Sequence, residues 1–150
     1  MRPLSYRARR LALQGLCCLD VQGAKVLDLV HDFLQDSDEP PPVLAAAGEL
    51  LDAAWAGRPQ CDEVLARHTR NWGLSRLALV DRNILRLAAC ELRAATASAA
   101  VIISEALKLA REFSTAESPR FVNGILDAVA KEIRRDAGDT GDGKKNKEEE

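Results

Sequence analysis

Apolar residues recur at spacings of three and four along most of the chain, and no stretch alternates β-branched with polar residues, so the backbone is read as amphipathic helices throughout. Six or seven helices fit the punctuation. The first is expected over about residues 5–21, with Ser5 as N-cap and Gly23 as the stop. Its Ala8, Ala12, Gly15, Leu16 and Leu19 share one face, while Arg7, Arg10, Gln14 and Cys18 cluster opposite, so the early arginines are expected to face away from the core. A second helix over about 25–35 turns Leu27, Val30 and Leu34 inward and stacks Asp28, Asp32 and Asp36 at i, i+4 spacing. That ladder repels itself and needs a well-solvated face. The Asp-Ser-Asp-Glu-Pro-Pro-Pro run at 36–42 cannot continue a helix. A third helix follows over about 43–56, ended by Gly57 and Pro59, and a short fourth over about 62–69.

The fifth helix, about 75–94, has the strongest amphipathic pattern: Leu77, Val80, Ile84, Leu87 and Ala88 form a stripe, with Arg82, Arg86 and Arg93 on the other side. Glu91 falls toward the apolar side and is expected to meet an arginine, Arg76 being one candidate. The sixth turns Ile102, Ala106, Leu109, Ala110 and Phe113 inward. The seventh opens at Ser118-Pro119, an N-cap followed by proline at the first helical position, and carries the stripe Val122, Ile125, Leu126, Val129 and Ile133. Past Asp136 the composition shifts to Gly, Asp, Lys and Glu, so 137–150 is expected to be a disordered charged tail behind one all-α domain at 1–136. A length of 150 residues with 47% apolar composition suffices for one such core.

Few kinds of chemistry find support. No apolar stretch reaches the roughly 18–20 residues of a membrane span, and no apolar signal core follows the N-terminal arginines, so a cytoplasmic protein without membrane contact is expected. Cys17 and Cys18 are adjacent while Cys61 and Cys90 stand alone, which gives no C-x-x-C spacing and reads as buried, reduced thiols. His31 and His68 have no ligand-spaced carboxylate or thiol beside them, and phosphate-binding glycine motifs are absent. The aspartates of the second helix point in parallel rather than converge on a cation. No cofactor, metal or catalytic site is expected, and the chain is read as a non-enzyme.

Charge gives the positive signal. Residues 1–19 carry +4, 20–63 carry −8, 64–136 carry +4 and 137–150 carry −2, so a net charge of −2 conceals a strong asymmetry. Arg2, Arg7, Arg9 and Arg10, with Tyr6 among them, supply guanidiniums for phosphates and a ring for stacking. Arg120 and Phe121 lie in the first turn of the last helix, where free N–H groups and the positive dipole end favour an anion. Phe121 sits off the buried stripe, and Gly124 leaves space beside it for a close approach. These features suit single-stranded RNA.

Several blocks carry a family resemblance. Arg9–Leu16 reads Arg-Arg-x-Ala-Leu-Gln-x-Leu, and Asn71–Leu77 reads Asn-Trp-x-Leu-x-Arg-Leu. Val80–Leu92 contains Val-Asp-Arg-x-Ile-Leu-Arg-Leu-Ala-x-x-Glu-Leu, and Ile103–Phe113 contains Ile-x-Glu-Ala-x-x-Leu-Ala-x-x-Phe. Ser118–Asp127 ends in Phe-Val-Asn-Gly-Ile-Leu-Asp. In this order the chain resembles the NusB family of bacterial transcription antitermination factors over about residues 5–135. The resemblance implies two packed helical sub-bundles. It also implies recognition of single-stranded boxA RNA jointly with the ribosomal protein NusE, within an elongation complex of RNA polymerase and other Nus factors. Carried over residue by residue, RNA contacts fall on Arg7, Arg9, Arg10, Gln14, Glu117, Ser118, Arg120 and Phe121, and partner contacts on Asp81 and Arg82. Cys17 and Cys18 stand where family members often have an aromatic pair, which removes stacking surface there. The alternative is a protein-interaction or accessory domain like the one preceding the catalytic part of some ribosomal RNA cytosine methyltransferases. The end of the chain at Glu150 leaves no room for a cofactor-binding fold, so that reading makes it a fragment.

Overall fold

The computed structural model describes the backbone of residues 4–148 and the side chains of residues 4–138. The elements are α1 (Tyr6–Gln22), α2 (Leu27–Gln35), α3 (Pro41–Ala56), α4 (Arg58–His68), α5 (Leu79–Ala94), α6 (Ala99–Phe113) and α7 (Ser118–Glu148), with single 3-10 turns at Ala24–Val26 and Leu74–Arg76. Among the described residues there is no strand. The last helix is assigned past the expected boundary at Asp136, whereas the side chains of 139–150, on which the disordered-tail expectation chiefly falls, lie outside the described residues.

Local chemistry sets the ends. Ser5 Oγ accepts the Ala8 N–H at 3.1 Å, and Gly23, at φ +83°, ends α1 in a backbone region that side chains disfavour. The proline run starts α3 rather than merely preceding it, because Pro41 and Pro42 occupy first-turn positions whose N–H groups have no intrahelical partner. Pro59 does the same for α4, which therefore begins at Arg58, four residues before the expected start. The α5 helix begins at Leu79 rather than Ser75, with the 3-10 turn taking up the preceding residues.

Two sub-bundles result. Helix α1 packs chiefly on α3, with α2 laid beside both; α4, α6 and α7 surround α5, which also touches α1 and α3. Every residue from Asn83 to Leu92 is buried, so α5 is the central rod of the molecule. That corrects the amphipathic reading of its second side: Arg86 is 8% exposed, and its guanidinium bonds Asp62 at 2.8 and 2.9 Å. The α1–α3 seam closes at Gly15, where an added Cβ would stand 2.9 Å from Leu51 Cδ2 and 3.0 Å from Val30 Cγ1. Of the four thiols, Cys61 and Cys90 are buried, but Cys18 is exposed and Cys17 half-buried, so the expectation of uniform burial holds for only two.

Candidate nucleic-acid interface

The start of α7 is held by a carboxylate from another helix. Asp81, in the first turn of α5, accepts from Ser114 Oγ at 2.6 Å and from Ser118 Oγ at 3.1 Å. Ser118 Oγ also lies 2.8 Å from Ser114 Oγ and 2.9 Å from Thr115 Oγ1. The α6–α7 corner, residues 114–117, is thereby stitched to α5, and the residues that follow are presented from a fixed base. Two expectations change here. Ser118 is the first helical residue and 3% exposed, so its hydroxyl serves the corner instead of capping the helix. Asp81 is likewise committed within the chain.

One turn on, Phe121 meets Trp72 edge to face, with ring centroids 5.1 Å apart and planes at 87°. Trp72 projects from the turn after α4 and is 51% exposed. The two rings wall an open pocket of about 490 Å3 that includes His68, Arg120 and Gly124. A Cβ at Gly124 would touch nothing within 4 Å, so this glycine faces open space beside the rings. Arg120 is exposed and forms no ion pair among the described residues. The half-buried Phe121 is thus neither enclosed nor free. Sequence reasoning quoted Trp72 as part of a motif but missed it as a site residue; a tryptophan beside Gly73 in a short turn, outside any apolar stripe, was the available signal.

The N-terminal arginines divide into three environments. Arg10 pairs with Glu112 at 2.7 Å and lies 5.4 Å over the Phe113 ring, at the end of α6 and hence beside the α6–α7 corner. Arg7 is largely exposed and reaches Glu39 at 3.4 Å. Arg9 is 3% exposed: Nε and Nη2 bond the two oxygens of Glu91, and Nη1 bonds the Leu4 carbonyl at 3.0 Å. Arg9, expected at RNA, is therefore an interior residue, and it rather than Arg76 is the partner of Glu91. Arg2 lies outside the described residues.

Other expected residues are also placed. Tyr6 donates its hydroxyl to Glu112, and Lys108 Nζ lies 5.9 Å over its ring, so the ring is packed on α6 rather than offered for stacking. Burial, and then the hydrogen bond to Glu112, push the Tyr6 phenol well above its usual range. Gln14 is exposed but opens onto a different groove, between α1 and α2. Arg82 gives Nε and Nη2 to Asp20 Oδ2 at 2.9 and 2.8 Å and bonds the Ser75 and Leu77 carbonyls, so its guanidinium is occupied inside the fold. Burial pushes Asp20 up, but hydrogen bonds from Asn83 and Arg82 outweigh it and leave the carboxyl below its usual range. The structure thus gathers Glu117, Arg120 and Phe121 with Trp72 in one pocket, while Arg10 sits against Glu112 and Phe113 at the end of α6.

Each histidine faces a carboxylate from another helix: His31 Nε2 lies 2.8 Å from Asp52, and His68 Nε2 lies 3.5 Å from Glu132. Among the described residues no group of three or more His, Cys, Asp or Glu could hold a metal ion. No described helix is long and apolar enough to cross a membrane.

A family model described as the NusB family matches residues 6–131. The transcription antitermination protein NusB of Streptomyces coelicolor is 42% identical over 132 residues, covering 85% of this chain and 92% of that protein. The solved structure of T. maritima NusB superposes with a TM-score of 0.79 at 30% identity, covering 88% of this chain and 94% of that one. A chain from the crystal structure of antitermination factors NusB and NusE in complex with dsRNA gives a TM-score of 0.71 at 24% identity, over 84% and 95% of the two chains, a likeness of fold.

Proposed function

The chain belongs to the NusB family, and from that premise we propose that it is a transcription antitermination factor that binds the single-stranded boxA element of nascent RNA together with the ribosomal protein NusE. It then acts within an elongation complex of RNA polymerase and other Nus factors. This places it in the cytoplasm as a binding protein rather than an enzyme. The observation that carries the reading is the pair Phe121–Trp72 beside Arg120, which has no ion pair among the described residues, at the positive end of a long helix.

Arg10 and Arg120 hold phosphates around the α6–α7 corner, Arg7 holds one farther along α1, and an unstacked base lies against the exposed edge of the aromatic pair. Each stacked base contributes about 1–3 kcal/mol. Gln14 and Glu117 add polar contacts at the periphery. Arg9 and Ser118 act indirectly: Arg9 seats α1 on α5, and Ser118 sets the start of α7. So few base-reading groups make for weak binding alone, and NusE supplies the remaining surface.

The test is a titration of boxA single-stranded RNA with the protein, alone and with NusE, at increasing salt. Binding strengthened by NusE and weakened steeply by salt is expected from phosphate contacts. Binding unaffected by both rejects the proposal. The accessory-domain alternative has less support, since the chain spans 92% of its Streptomyces relative.

A further inference from the structure

The groove between α1 and α2 is open and mostly apolar, and of its lining residues only Gln14 enters the RNA reading. It encloses about 600 Å3, with Gly15, Val26 and Val30 along its floor and Cys18 on the α1 side. Leu29 and Phe33, one turn apart on the α2 rim, are 67% and 57% exposed. Val21 is 63% exposed near the end of α1, on the same side of that helix as Cys18. Isolated surface hydrophobics are ordinary, but a contiguous run of this kind along a helix–helix groove marks an interaction surface.

Charge says what covers it. Asp28, Asp32 and Asp36 each stand at a turn's spacing in the column next to Leu29 and Phe33, all exposed. None of the three forms an ion pair or a side-chain hydrogen bond among the described residues. These three exposed carboxylates make the rim repel a polyanion and tolerate poorly a second copy of the same acidic edge. We infer that this groove receives an amphipathic helix of a partner protein, with apolar residues seated on Leu29 and Phe33 and lysines or arginines at i, i+4 spacing along the aspartate column. The pitch fits, because three acids one turn apart face three bases one turn apart when two helices lie roughly side by side.

The ladder also explains itself on this view. Like charges at i, i+4 cost the free helix a few tenths of a kcal/mol each, and a basic helix docked beside them turns that cost into attraction. The surface lies on α1 and α2 and not at the α6–α7 corner, so the result of the following test leaves the RNA reading standing or falling on its own.

The probe is a labelled synthetic helix with leucines on one face and flanking lysines, titrated with the full chain by fluorescence anisotropy. Its twin carries glutamate at every lysine position. The lysine peptide is expected to bind and the glutamate twin not to. Leu29→Glu with Phe33→Glu is expected to weaken binding by about tenfold or more, the loss of roughly two buried apolar contacts. The triple change Asp28→Asn, Asp32→Asn and Asp36→Asn, which relieves repulsion and so leaves the fold intact, is expected to weaken it by about 3- to 10-fold and flatten its salt dependence. Absence of lysine-peptide binding, or equal binding by both peptides or by all variants, overturns the inference. So does a dimer of the unmodified chain that Leu29→Glu/Phe33→Glu dissociates, or an RNA affinity that the same pair lowers, since the occupant is then a second copy or RNA.

Discussion

Arg9 and Glu91 form a two-pronged ion pair inside the protein, Nε to Oε2 at 2.9 Å and Nη2 to Oε1 at 2.7 Å, with side chains 4% and 2% exposed. It joins α1 of one sub-bundle to the central α5 of the other. Thr96 Oγ1 donates a further bond to Glu91 at 2.9 Å, so the carboxylate is well supplied with donors. The pair fixes the orientation of α1, and with it the placement of Arg7 and Arg10.

Removing Glu91 leaves the buried Arg9 guanidinium with only the Leu4 carbonyl and the looser Glu105 carboxylate at 3.7 Å. Glu91→Ala is expected to cost about 3–5 kcal/mol in denaturant unfolding, a large share of a domain's stability. The double change Arg9→Met/Glu91→Leu, in which apolar packing seats α1 on α5 in place of the ion pair, is expected to cost less than Glu91→Ala alone and to keep most of the RNA affinity. A double variant that folds but loses RNA would return Arg9 to the interface.

The aromatic pocket predicts a separation of binding from folding. Trp72→Ala is expected to weaken RNA binding by about 5- to 150-fold, the worth of one stacked base, with little change in melting temperature. Filter binding and thermal melts on the same preparation check both halves.

The pH dependence follows from Asp20. Its folded carboxyl is held below the usual range by Asn83 and Arg82 against the opposing push of burial. The stability this contributes is complete above the unfolded value of about 4 and is lost as the pH falls through the lower folded value. Asp20→Asn is expected to be less stable at neutral pH and to show a shallower loss on acidification. Parallel acid-unfolding curves for the two proteins would remove Asp20 from the account.

Two glycines are expected to answer alanine with opposite signs. At Gly15 the new methyl meets Leu51 and Val30 at 3.0 Å or less, so overpacking of about 1–3 kcal/mol outweighs a gain of under about 1 kcal/mol in helix propensity. At Gly124 the methyl meets nothing, and Gly124→Ala is expected to raise stability by about 0.5–1 kcal/mol. Because it narrows the pocket beside Phe121, the same change is expected to lower RNA affinity.

Much of this was legible from helical periodicity. Ser5, Gly23 and the stripes of α6 and α7 mark themselves, because capping and amphipathicity are local. Phe121 and Gly124 could be singled out from their angle to the stripe of α7. The pairing of Arg9 with Glu91 could not, since its partners are 82 residues apart and depend on how α1 lies across α5. Arg86 misled for a related reason: on a helix wrapped on every side, an arginine opposite the main stripe points at another helix rather than at water. Trp72 gave no periodic signal, because it stands in a turn between helices.

The central claim is that Arg10 and the aromatic edge at Phe121 hold RNA while contributing little to the fold. Its most direct test is the affinity of Arg10→Ala/Phe121→Ala for single-stranded boxA RNA in the presence of NusE, with circular dichroism as the control for folding. The account predicts a loss of roughly tenfold or more, about 1.4 kcal/mol per decade, with the helical signal retained. Unchanged affinity in a folded double variant would contradict it.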